Sequence, residues 1–121
     1  MTMTLHHLAL RTGDVPGLAD FYREVLGFEV VRRALPRSLW LGLGGDAVLM
    51  VEAREAGEPP VPEGSMELVA FRVSEKVRDV VRRKAAERGC LDGETAFTTY
   101  LRDPDGRRVA VSTYDLKSLP G

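Results

Sequence analysis

A chain of 121 residues is long enough for one ordinary domain with one core. At 44% hydrophobic and 29% charged residues it should be globular; its net charge of −1 argues against a dedicated nucleic-acid binder. No apolar run approaches the roughly 20 residues that span a bilayer, no secretory signal is visible before Leu10, and Cys90, the single cysteine, cannot close an intrachain disulfide, so a cytoplasmic location is expected.

Leu5 to Thr12 alternates as a strand does. Asp14 then offers a helix N-cap, and Leu18, Phe21, Tyr22, Val25 and Leu26 follow at helical spacing up to Gly27. Three short apolar runs come next, Phe28 to Arg33, Leu39 to Leu43 and Ala47 to Ala53, separated by Pro36 and by Gly44-Gly45-Asp46. Arg54 to Ser65, with three prolines, predicts an exposed linker. The pattern then restarts: a strand over Glu67 to Val73, a helix capped by Ser74 and ended by Gly89, and strands near Glu94 to Phe97, Thr98 to Arg102 and Arg107 to Tyr114. Asp103-Pro104-Asp105-Gly106 supplies the last hairpin turn.

The two halves align at a nearly constant offset. His7-Leu8-Ala9-Leu10 matches Leu68-Val69-Ala70-Phe71, Gly27 matches Gly89, and Trp40-Leu41 matches Tyr100-Leu101. The sequence is therefore read as one domain over 1–121, with a first β-α-β-β-β repeat over about 4–53, a linker over 54–65 and a second repeat over about 66–114.

The opening segment (His7 to Leu10, Asp14, Phe21-Tyr22, Leu26-Gly27-Phe28) and the run Tyr100 to Gly106 resemble the vicinal-oxygen-chelate superfamily of glyoxalases, bleomycin-resistance proteins and extradiol dioxygenases. The resemblance implies an α+β fold in which the repeats form a curved, cup-shaped, eight-stranded mixed sheet with helices on its outer face. It also implies a homodimer. Metal-dependent members bind a divalent ion through about three side chains drawn from four equivalent strand positions. Here those positions hold His7, Met50, Leu68 and Ala110, so three of the four depart from the pattern. A stable site needs three or four N, O or S donors, so neither metal nor other cofactor is expected. Glu52, two residues beyond Met50, leaves a displaced His7 and Glu52 pair open, still short of a third ligand.

Alternation assigns the other residues to faces. Leu8, Leu10, Leu49, Val51, Val69, Phe71, Val73, Val109 and Val111 should pack under the helices. The opposite face then collects His7, Arg11, Trp40, Met50, Glu52, Arg72, Tyr100, Arg102 and Ser112, the predicted ligand-binding residues. Arg11 and Arg72 occupy equivalent places in the two halves, so the expected partner is a small molecule, anionic or carboxylate-bearing. The alternative for these arginines is pairing with Glu52 or snorkelling to water. His6 points to the other face. Cys90 is read as packing. The basic helix face of Arg78, Arg82, Arg83, Lys84 and Arg88 is read as solvated, with Asp79 and Arg83 spaced to pair, and no nucleic acid or membrane partner is expected.

Two function classes remain open. One is a metal-independent binder of small molecules. The other is a lyase, isomerase or dioxygenase of the superfamily, with a non-standard metal site or with His7 or Glu52 as acid/base. Absent Asn and Gln, with 14 Arg against 3 Lys, fit GC-rich coding, with thermostability as a companion expectation.

Overall fold

The computed structural model describes residues 1–118. The element order is β1 (His7–Thr12), α1 (Val15–Glu24), β2 (Glu29–Ala34), β3 (Ser38–Gly42), β4 (Val48–Ala53), β5 (Leu68–Arg72), α2 (Glu75–Arg88), β6 (Leu91–Glu94), β7 (Thr98–Arg102) and β8 (Arg108–Ser112), closed by a 3-10 turn at Leu116–Ser118. Each β-α-β-β-β repeat makes its own four-stranded mixed sheet, in the order β1-β4-β3-β2 and β5-β8-β7-β6. The chain divides into two compact units, Met1–Pro60 and the part from Val61 on, and the division falls within the proline-rich segment.

The helix boundaries follow from local chemistry. Asp14 accepts from the Gly17 amide at 3.1 Å and Ser74 from the Val77 amide at 3.2 Å, which satisfies orphan donors at both N-termini. Gly89 closes α2 at φ 67°, a left-handed position where a side chain is disfavoured. Each helix covers one face of its own sheet. In the first unit Leu10, Leu39, Leu41, Leu49 and Val51 are buried against Leu18, Phe21 and Tyr22 of the helix side; in the second, Leu101, Val109 and Val111 play that part with Val81 and Ala85. The opposite faces stay more open and hold the predicted ligand-binding residues.

The duplication extends to irregularities. A bulge between Val30 and Arg32 in the β2/β3 pair recurs between Leu91 and Gly93 in the β6/β7 pair. The strand expected near Glu94 to Phe97 is displaced: β6 runs over Leu91–Glu94, and Thr95 to Thr98 is a turn. Thr95 drives this. Its hydroxyl accepts from the amides of Phe97 at 3.3 Å and Thr98 at 3.1 Å, an alternative to ladder bonding. On α2, Arg82 and not Arg83 meets Asp79, at 3.4 Å one turn away, and it also reaches Glu94 at 3.2 Å. No described helix is long and apolar enough to cross a membrane.

Candidate functional site

Register decides which predicted residues meet. In the first sheet His7 lies beside Val48, Ala9 beside Met50 and Arg11 beside Glu52, while Trp40 faces Met50 and Ser38 faces Glu52. His7 and Glu52 are therefore four residues apart along paired strands. At about 3.3 Å per residue that is about 13 Å between backbones, so the two do not converge. His7 instead meets His6, with the two Nδ1 atoms 2.9 Å apart on an exposed surface. Arg32 lies over the Trp40 ring at 4.6 Å.

Arg11 is committed. It grips Glu58 in a two-pronged pair, with Nε 3.1 Å from Oε2 and Nη2 2.7 Å from Oε1, and lies 3.5 Å from Glu52. The Glu58 hydrogen bond pushes the Arg11 pKa up, and that same bond holds the Glu58 carboxyl below the ordinary glutamate range. Because the folded state depresses the Glu58 pKa, the pair's contribution is complete above that range and is lost as the pH falls through it. Glu58→Gln should thus lower the melting temperature at pH 7, and the gap should narrow as the pH falls below the ordinary glutamate range. A gap that persists in acid would show that the charge is not its source. The cavity beside this pair, lined by Arg11, Arg37, Ser38, Glu52 and the chain from Ala53 to Glu55, holds about 190 Å³.

The second sheet repeats the register with different side chains. Leu68 lies beside Arg108, Ala70 beside Ala110 and Arg72 beside Ser112; Tyr100 faces Ala110 and Thr98 faces Ser112. The open face carries a cleft of about 450 Å³ formed chiefly by Leu68, Ala70, Arg72, Tyr100, Ser112 and Tyr114. That volume lies within the roughly 300–1,000 Å³ of small-molecule sites, whereas the first sheet's cavity does not. Tyr100 is held under the Arg108 guanidinium, 3.9 Å from the ring centroid, and Arg108 is itself fixed by Asp92 at 3.0 Å. Tyr114 packs edge-on against Phe97. Thr98 and Ser112 share a hydroxyl hydrogen bond of 2.8 Å. Arg102 does not enter the cleft lining. It bonds Asp92 at 3.0 Å and the carbonyls of Ser65 at 2.6 Å and Gly106 at 3.0 Å.

Residues 4–111 match the family model of the glyoxalase/bleomycin resistance protein/dioxygenase superfamily. The chain belongs to this superfamily. Comparison with curated proteins finds no match. Among solved structures, the superfamily fold is shared with fosfomycin resistance protein FosX from Mesorhizobium loti, at 19% identity and TM-score 0.77 over 97% of this chain and 96% of that one. Oxidase ChaP-H2 aligns at 23% identity and TM-score 0.76, over 95% and 96% of the two chains. Lactoylglutathione lyase from Agrobacterium tumefaciens aligns at 19% and 0.69, over 92% and 93%.

The superfamily's divalent ion does not fit this donor set. Leu68 and Ala110 carry no donor atom, and Met50 offers only a thioether. No group of three or more His, Cys, Asp or Glu is placed to hold an ion among the described residues. Partial burial raises the Cys90 pKa, and its thiol lies 3.5 Å from the Ala85 carbonyl.

Two partners escaped the sequence reading. Glu58, in the proline-rich segment, has no periodicity to mark it. Thr98 was placed on a strand without a role. The signal available for Thr98 was the duplication itself, since its equivalent Ser38 also lines a cavity.

Proposed function

We propose that the protein binds a small organic molecule, without a divalent ion, in the second repeat's cleft. The observation that carries this is the cleft's make-up: about 450 Å³ walled by Leu68, Tyr100 and Tyr114, with Arg72 and Ser112, paired in register on neighbouring strands, in its lining. Apolar walls with a few polar groups are the ordinary composition of a ligand site. Acid/base chemistry at His7 finds less support, because His7 lines neither this cleft nor the cavity beside Arg11.

Thermal-shift screening of small organic molecules tests the reading. Ligands should raise the melting temperature of the wild type, and Tyr100→Ala should abolish the shift. Protein purified without added metal should hold well under one divalent ion per chain, and a chelator should leave its melting temperature unchanged. Stoichiometric zinc, iron, nickel or manganese, lost to a chelator together with stability, would overturn the metal-free part. A ligand shift that survives Tyr100→Ala would overturn the assignment of the cleft.

A further inference from the structure

The two repeats place the same arginine in opposite electrostatic settings. Arg11 and Arg72 hold equivalent positions on β1 and β5, and each is paired in register with one residue of the neighbouring parallel strand. For Arg11 that residue is Glu52; for Arg72 it is Ser112. The second counter-carboxylate is also gone. Glu58 stands six residues after Glu52, and the residue six after Ser112 is Ser118. Arg11 is consequently neutralised from two sides. Arg72 is exposed, and its guanidinium meets no ion-pair or hydrogen-bond partner among the described residues.

The hydroxyl pair beside Arg72 adds a donor. Ser112 Oγ and Thr98 Oγ1 lie 2.8 Å apart, so one hydroxyl hydrogen satisfies that contact and the other is left over, whichever way the bond runs. Ser112 Oγ also accepts from the Tyr114 amide at 3.1 Å, which fixes its position. Arg72 and Ser112 both line the cleft, together with the rings of Tyr100 and Tyr114.

We infer that Arg72 and the Ser112–Thr98 hydroxyl pair form the anion-recognition point of the cleft, and that the ligand class is a small aromatic monocarboxylate. This rests on the cleft being the binding site. A planar guanidinium accepts a carboxylate through two parallel hydrogen bonds, and the spare hydroxyl donates a third. One uncommitted cation balances one negative charge and leaves a dianion half-compensated. The tyrosine walls stack or edge-pack a ring. Ser112 is the specificity determinant, because a carboxylate there restores the arrangement of the first repeat and occupies Arg72 internally.

The probes are 2-naphthoate, its neutral isostere 2-naphthamide, and inorganic phosphate, titrated calorimetrically. The wild type should bind 2-naphthoate at least about tenfold more tightly than 2-naphthamide, and phosphate more weakly than either. Arg72→Ala, on an exposed side chain, should abolish the preference for the acid, costing acid binding at least about tenfold more than amide binding. Ser112→Glu should do the same, and Arg11→Ala should keep the preference intact. Equal affinity for acid and amide, unmoved by Arg72→Ala, overturns the anion point and leaves the cleft itself standing as the binding site. Phosphate binding as tight as that of 2-naphthoate overturns the aromatic class. Failure of both naphthalene probes at millimolar concentration, while other small organic molecules still stabilise the wild type and not Tyr100→Ala, overturns this inference and leaves the cleft reading standing.

Discussion

Leu101→Ala should lower the free energy of unfolding by about 3 kcal/mol, within the roughly 2–5 kcal/mol that truncating a buried leucine costs. Leu101 is fully buried on β7, an interior strand of its sheet, paired with Val109 of β8 and with Leu91 of β6. The loss combines the transfer of the removed atoms with the cavity they leave, and a central strand held on both sides has little freedom to collapse into it. Leu41 is its equivalent in the first repeat and is equally buried, between Leu49 and Val30. Leu41→Ala should therefore cost a similar amount. Leu68→Ala, at a residue 41% exposed, should cost far less. Urea unfolding of the three variants checks the ordering. A loss below about 1 kcal/mol for Leu101→Ala would mean that the strand relaxes into the space, contrary to the packing described.

Periodicity and capping made most of this fold legible. Strands with one buried face alternate, so β3, β4 and β7 announce themselves through Leu39/Leu41, Leu49/Val51 and Thr99/Leu101, and β8 through Val109/Val111, although Ala110 between them is buried too. Both helices carry a side-chain cap at the residue expected, Asp14 and Ser74. β6 was misplaced because Leu-Asp-Gly-Glu neither alternates nor favours strand; it is held by pairing with β7, a tertiary cause. The candidate site was legible only by halves. Face assignment brought Arg72, Tyr100 and Ser112 to one surface from alternation alone. It treated Arg11 and Arg72 as alike, because the residue that separates them most, Glu58, lies in a segment whose path no local pattern encodes. One clue was in plain view: aligning the halves sets Glu52 against Ser112, so the loss of one counter-charge was already written in the duplication.

The turn between β7 and β8 should be the most sensitive polar feature of the second repeat. The Asp103 side chain is fully buried and accepts from the Asp105 amide at 2.9 Å, the Arg107 amide at 3.0 Å and Arg107 Nη1 at 3.2 Å. Its backbone closes the same loop, bonding Gly106 and Arg107 at 2.9 Å each, with Gly106 at φ 87°. Asp103→Ala removes the acceptor of two backbone amides in a part-buried loop and one anchor of a guanidinium. The expected loss is about 2–3 kcal/mol, below the roughly 3–5 kcal/mol for breaking a buried ion pair, because Arg107 keeps Asp105 at 3.1 Å. Asp103→Asn retains an oxygen for the two amides and gives up the charge and the bond from Arg107 Nη1, which an NH2 group cannot accept, so it should cost about 1 kcal/mol. The difference between the two variants, read from urea midpoints at constant slope, separates the turn's hydrogen bonds from its ion pair. Equal losses for Asn and Ala would mean that the charge on Asp103, and not its bonds to the loop amides, holds β7 and β8 in register.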